Sequence, residues 1–201
     1  GEEVTAEPKI DGCSLELVYE GGKLVSAATR GDGMTGDDVT ANARTIYTVP
    51  LELSKAMDIR VRGEVYMTYT TFNRLNTELG QAGEDLLANP RNAAAGAIKL
   101  KDPYEVAKRQ LSFIAYGTPD EVKGIGTQEQ LILFLEQLGF ISMTLLPMAQ
   151  SAEIPPLVVK MENVNQVAKM IADMDTYRRL MDFPTDGLVF KINSLAKQRE
   201  L

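Results

Sequence analysis

Two short strand-like runs, residues 14–19 and 23–29, flank Glu20-Gly21-Gly22, and that arrangement commits the start of the chain to an antiparallel hairpin. Glycine reaches positive φ without a Cβ clash, which tight turns between twisted strands require. A further strand is expected over 58–67, where Gly63 interrupts Val61-Arg62-Gly63-Glu64-Val65, and others over 111–116 and 187–192. Elsewhere the apolar spacing becomes helical. Phe72, Leu75 and Leu79 predict a helix over 71–79, and an alanine-rich helix is expected over 92–100. Residues 127–138 open with Thr127 and Gln130 in capping-box positions and stop before Gly139. Val164, Val167, Ile171 and Met174 mark a fourth helix, and Pro147, Pro155 and Pro156 punctuate a long connection before it. The fold class this implies is α+β, with mainly antiparallel sheets flanked by helices.

Two absences narrow the chemistry. The 201 residues include no histidine and one cysteine, Cys13. A Ser-His-Asp triad, a histidine base, an internal disulfide and a multi-cysteine zinc site are therefore excluded within this sequence. Reaction chemistry must run on Lys, Arg, Asp, Glu, Tyr and backbone groups. With 21 Lys and Arg against 28 Asp and Glu, the net charge is −7. Nucleic-acid affinity comes largely from cations on phosphates, so DNA binding by this acidic chain is expected to be weak unaided. No apolar run approaches the roughly 20 residues of a membrane span, and Gly1-Glu2-Glu3-Val4 lacks the layout of a secretory signal. A cytoplasmic monomer without membrane contact is expected.

Four segments carry reactive or ligand-binding residue types. Glu7-Pro8-Lys9-Ile10-Asp11-Gly12 places a lysine between a strand and a turn. A lysine amine is a nucleophile only when neutral, and at its ordinary pKa of ~10.4 about one in a thousand is neutral near neutral pH. Read alone, Lys9 is a surface lysine before a β-turn. Thr29-Arg30-Gly31-Asp32-Gly33 sets an arginine beside flexible backbone, suited to a phosphate or ribose. In Arg62-Gly63-Glu64-Val65 a carboxylate sits in a strand beside a glycine, a residue that often marks close approach of a ligand or another backbone. In Asp186-Gly187-Leu188-Val189-Phe190-Lys191, alternation puts Val189 and Lys191 on one face, so Lys191 must leave the core or point into a polar cleft.

With Ala-Asn-Pro-Arg-Asn-Ala-Ala-Ala-Gly at 88–96, these segments follow one another in an order that resembles the adenylation (nucleotidyltransferase) domain of bacterial-type NAD-dependent DNA ligases. The resemblance covers nearly the whole chain, and Asn-Pro-Arg-Asn-Ala-Ala-Ala-Gly is its most family-specific string. It implies a nucleotidyltransferase, ATP-grasp-like fold. It implies that Lys9 attacks the α-phosphate of NAD and becomes lysyl-AMP, which then activates the 5′-phosphate of a nick. Glu7 is placed at the adenine edge, Tyr116 on the base, Arg30 and Glu64 on the ribose side, and Lys191 on the α-phosphate with Asp186 nearby. Arg91, Lys99 and Arg178 (in preference to Arg179) are placed against DNA phosphates. Lys99 stands where the family more usually has arginine, which keeps charge but loses bidentate geometry.

The cofactors implied are NAD as AMP donor and Mg²⁺, with no protein metal ligand assigned. The acids around Lys9 favour its ammonium form, so a bound cation together with Lys191 is expected to reverse the local field. The partners implied are adenosine nucleotides and, for a longer enzyme, nicked duplex DNA. Residues 1–201 are expected to form one adenylation domain, with the family's N-terminal nicotinamide-recognition module and C-terminal ligase domains outside it. Such a chain is expected to fold alone and bind adenosine nucleotides, to adenylate itself poorly from NAD, and not to seal nicks. The competing readings are an ATP-dependent covalent nucleotidyltransferase and a non-catalytic nucleic-acid-binding module.

Overall fold

The computed structural model describes residues 2–29, 36–142, 158–160 and 164–200. Arg30, with the rest of 30–35, and Pro147, Pro155 and Pro156 lie outside the described residues. The chain runs through β1 (Glu3–Ile10), β2 (Cys13–Glu20), β3 (Lys23–Thr29), α1 (Thr40–Ala43), β4 (Ile59–Tyr66), α2 (Tyr69–Ala82), α3 (Pro90–Ala97) and α4 (Pro103–Lys108). It continues with β5 (Ser112–Gly117), α5 (Gln128–Gln137), β6 (Val158–Lys160), α6 (Val164–Tyr177), a 3-10 turn (Arg178–Leu180), β7 (Thr185–Ile192) and α7 (Leu195–Gln198).

The strands form one sheet in the order β6-β1-β7 and a second in the order β3-β2-β4-β5. Every pairing among the described strands is antiparallel, as the hairpin signals and the α+β reading anticipate. The chain steps from the first sheet to the second across Asp11-Gly12, the turn that separates β1 from β2. Register shifts at Lys9/Ile10, and the Asp11 amide donates to the Pro184 carbonyl at 2.9 Å. Lys9-Ile10-Asp11-Gly12 is therefore a crossing between sheets, and a space opens beside it.

Alternation along the second sheet sorts its two faces. Leu15, Leu17 and Tyr19 of β2, Val61 and Val65 of β4, and Phe113 and Ala115 of β5 are buried in the main core. That core is shared with Ala93, Ala94, Ala97 and Ile98 around α3 and Leu131 and Leu135 of α5. On the opposite face Tyr66 and Ile114 join Ile10 of β1, Met174 of α6, Met181 and Phe183 in a smaller cluster under the first sheet. Ser14, Glu64 and Tyr116 share that opposite face, one from each of three adjacent strands.

Pro8 sits within a strand, where a missing N–H is usually costly. The Asn193 amide donates to the Glu3 carbonyl, so the odd residues of β1 bond toward β7. Pro8, at an even position, costs no β1–β7 hydrogen bond.

The predicted helices form with altered ends. α2 begins two residues earlier than the spacing suggests, because Thr68 caps it by accepting from the Thr71 amide, and it runs on to Gly83 in the left-handed region. α3 starts at Pro90 because Asn89 accepts from the Asn92 amide and proline suits a first helical position. Thr127 caps α5 as expected, accepting from Gln130 N at 3.2 Å. Gln130 Oε1, however, takes the Gly126 amide at 2.9 Å instead of the Thr127 amide a capping box would offer. In α6 Met174 faces the core while Ile171 is exposed. The capped helix α4, with Asp102 accepting from Tyr104 N, had no long apolar period to announce it.

The close approach signalled by Gly63 is to protein. A Cβ there would lie 2.1 Å from the Ile114 carbonyl oxygen and 2.2 Å from the Phe113 ring. Gly63→Ala is accordingly expected to destabilise the chain by about 3 kcal/mol through overpacking, measured as a lower denaturation midpoint with an unchanged slope. An alanine variant as stable as the parent would contradict this packing.

Candidate active site

A cleft of about 260 Å³ lies between the two sheets at their crossing. β1 contributes Glu7 and Lys9, the crossing itself Asp11 and Gly12, β4 Glu64, β5 Tyr116, and β7 Val189 and Lys191. Arg91 reaches in from the first turn of α3. Val189 and Lys191 share a face, as alternation predicts, and Lys191 does point into a polar cleft.

The geometry follows from register. Lys9 pairs with Gly187 and Glu7 with Val189. Gly187 takes φ +141°, a conformation rare for residues with a side chain, and its neighbour Asp186 meets the nucleophile candidate. Lys9 Nζ donates to Asp186 Oδ2 at 2.5 Å, with the lysine side chain 52% exposed and so open to a ligand.

At the other end the Glu7 carboxylate is buried but fully engaged. Its Oε1 accepts from Thr5 Oγ1 and Gln128 Nε2, both at 3.0 Å, and its Oε2 accepts from Lys191 Nζ at 2.7 Å. Lys191 Nζ also approaches the Tyr116 carbonyl at 3.4 Å and lies 5.5 Å from the Tyr116 ring centroid. Ser14 and Tyr116 join their hydroxyls at 3.0 Å, which fixes the tyrosine ring along the floor.

Glu64, on the same face, is perturbed. Burial pushes its carboxyl up to about 7 from 4.5, opposed by the positive charges of Arg91 and Lys9, reinforced by Asp11 and eased by the Gly12 amide. The Cys13 thiol is also raised, chiefly by burial and then by Glu64. Cys13 is half-buried against the main core, close to the filler role its size suggests.

Lys9, Glu7, Glu64, Tyr116, Asp186 and Lys191 are thus brought together. Arg91 joins them, held by Asp11 at 3.0 Å, and faces the cleft. Lys99 does not join. It pairs with Asp37 at 2.8 Å beside a broader, open depression of about 900 Å³ that also includes Thr40, Arg44 and Lys101. That depression is larger, but among the described residues no aromatic ring joins its acids and amines as Tyr116 does around Lys9. Arg178 and Arg179 lie exposed in the 3-10 turn after α6. Arg30 lies outside the described residues. Sequence reasoning missed Thr5, which bonds Glu7 two residues along the same strand, and Ser14 and Gln128, polar residues whose partners are distant along the chain. Gln128 lies inside the capped helix start, a local signal that says nothing of its reach to Glu7.

Between antiparallel sheets, then, a lysine sits at a crossing turn with acids, an arginine and an aromatic ring around an open space. The sequence matches the NAD-dependent DNA ligase adenylation domain family over residues 2–201. The chain belongs to that family. It is similar to the DNA ligase of Acholeplasma laidlawii, 40% identical over 94% of this chain and 27% of that protein. The DNA ligase of Natranaerobius thermophilus is 40% identical over 98% of this chain and 28% of its own length. That of Cereibacter sphaeroides is 44% identical over 98% and 27%. The chain spans little more than a quarter of these relatives. Among the described residues no helix is long and apolar enough to cross a membrane.

The Glu64 shift has a consequence for stability. Its carboxyl binds a proton more tightly folded than unfolded, so the folded chain carries the extra proton between 4.5 and about 7. Stability linked to Glu64 is full below that window and is lost as pH rises through it. Glu64→Gln is expected to remove this loss, so that the variant gains on the parent as pH is raised. Parallel denaturation curves whose separation is the same at both ends of the window would refute the assignment.

Proposed function

We propose that this chain is the nucleotide-transferring part of an NAD-dependent DNA ligase, with Lys9 as the residue that takes AMP. The observation that carries the reading is the exposed Lys9 amine at the sheet crossing, in one cleft with Glu64, Tyr116 and Lys191. Family membership supports NAD as the AMP donor. The two antiparallel sheets flanking this cleft support a nucleotidyltransferase, ATP-grasp-like assignment.

In this reading the neutral Lys9 Nζ attacks the α-phosphorus. The P–N bond forms as the bond to the bridging oxygen breaks, nicotinamide mononucleotide leaves with the electron pair, and the amine gives up its proton. The adenylyl group then passes to the 5′-phosphate of a nick in duplex DNA, and a 3′-hydroxyl displaces AMP. Such transfers depend on in-line placement and charge neutralisation more than on acid–base side chains, which suits a site without histidine. Tyr116 offers a ring face to the base, Glu64 a carboxyl to the ribose side, and Arg30 a further cation there. Lys191 is committed to Glu7 at 2.7 Å, so contact with the α-phosphate requires that bond to be shared or exchanged. Arg91, Lys99 and Arg178 remain the cations proposed for DNA phosphates, although Arg91 also serves the cleft.

Among the described residues no group of three or more acids, histidines or cysteines could hold a metal ion. Mg²⁺ is therefore proposed to be held mainly by nucleotide phosphates and water, with at most one or two carboxylates of the cleft. Bound there, it would offset the acids that keep Lys9 paired.

Intact-mass analysis of a full-length ligase containing this chain tests the reading. Incubation with NAD should add one adenylyl group, and Lys9→Ala should abolish the adduct without unfolding the protein. An adduct that survives Lys9→Ala, or labelling from ATP in place of NAD, would overturn it. The Mg²⁺ role predicts that the pH profile of adenylation shifts with Mg²⁺ concentration, and a profile independent of the metal would reject it.

A further inference from the structure

Gln128 is the first residue of α5 and is buried to 2% exposure, although helix N-termini usually face water. Its Nε2 donates to two groups of the cleft wall, Glu7 Oε1 at 3.0 Å and the Tyr116 carbonyl at 3.2 Å. Its Oε1 accepts from Gln198 of α7 at 3.5 Å. Its own amide donates to the Asn193 carbonyl at 2.7 Å, and the next amide, Glu129 N, to Asn193 Oδ1 at 3.1 Å. The backbone of Gln128 is thus anchored two residues past Lys191, and its side chain holds the Glu7 carboxylate and the Tyr116 carbonyl, the two groups that Lys191 Nζ approaches.

We propose that Gln128 is a positioning residue for the nucleotide: by fixing the Glu7 carboxylate and the Tyr116 peptide together, it places the Lys191 amine in the cleft. This rests on the reading of the cleft as the nucleotide site. The two Glu7 oxygens show how it works. Oε1 is saturated by Thr5 and Gln128, which leaves Oε2 alone for Lys191. Without the Gln128 amide, Oε1 is left short of a donor in a buried place, and the lysine is drawn toward it to fill the gap. The amine then retreats from the ligand. A glutamate at 128 behaves in two ways. Ionised, it repels Glu7; protonated, it again offers a donor of nearly the same shape.

AMP binding by this chain, followed by titration calorimetry alongside its melting temperature, tests the proposal. Gln128→Met is expected to bind AMP about tenfold more weakly than the parent at a temperature where both are folded, and to melt a few degrees lower because a buried carboxylate oxygen loses a donor. Gln128→Glu is expected to approach the parent's affinity as pH falls through the range where a buried carboxyl protonates, each compared at the same pH. Parent-like affinity in Gln128→Met, with Lys191→Met losing binding, would overturn the role of Gln128 and leave the nucleotide site standing. So would a loss in Gln128→Glu that is the same at every pH, which decides the matter alone if the methionine variant does not fold. A parent chain that binds no AMP would instead sink the reading on which this proposal rests.

Discussion

A buried carboxylate organises this molecule. Taking an ion out of water costs several kcal/mol, and removing a single partner from a buried pair typically costs about 3–5 kcal/mol. Glu7 is nevertheless buried, because Thr5, Gln128 and Lys191 satisfy it. Those partners come from β1, α5 and β7, and Gln128 draws in the backbone of β5 as well. Elements far apart in the chain must therefore close on one point before the charge is tolerated. The polar knot specifies how the first sheet lies against the second, where apolar contact alone would tolerate sliding.

Two residues further along β1 the electrostatics are looser. Lys9 and Asp186 are both substantially exposed, and exposed ion pairs contribute little to stability. An amine in an ion pair is a cation, and a nucleophilic amine must be neutral. Asp186 therefore has to release Lys9 before it can act. The site combines a rigid end, built around Glu7, with an end whose contacts can exchange at small cost.

Much of the fold could be read from residue order. The glycine pair after Glu20 between two strand-like runs, the helical spacing around Leu75, and the cap at Thr127 with the stop before Gly139 each express local geometry. Where the reading stopped short, the cause was contact across distance. Helix starts after Thr68 and Asn89 depend on caps three residues ahead of the expected helices at 71 and 92. α4 is too short for a period, and the three residues of β6 are defined by their pairing with Glu3, Val4 and Thr5. For the site, the short motifs carried Lys9, Glu64, Asp186 and Lys191 because each sits in a turn or strand with an unusual residue beside it. Tyr116 entered through family resemblance. Ser14 and Gln128 had no such flag, since a serine in a strand and a glutamine at a helix start are ordinary until their partners are known. The pairing of Arg91 with Asp11 and of Lys99 with Asp37 likewise appears only in three dimensions.

The crossing at Asp11-Gly12 has a mechanical consequence. The first sheet is fastened to the rest of the chain at that turn and again where Asn193 clasps the start of α5. A plate pinned at both ends resists sliding and lifting at either end, and keeps rotation about the line joining the two attachments as its freest motion. A ligand entering the cleft between the sheets therefore meets a wall that can rock about that line but is barred from sliding along it.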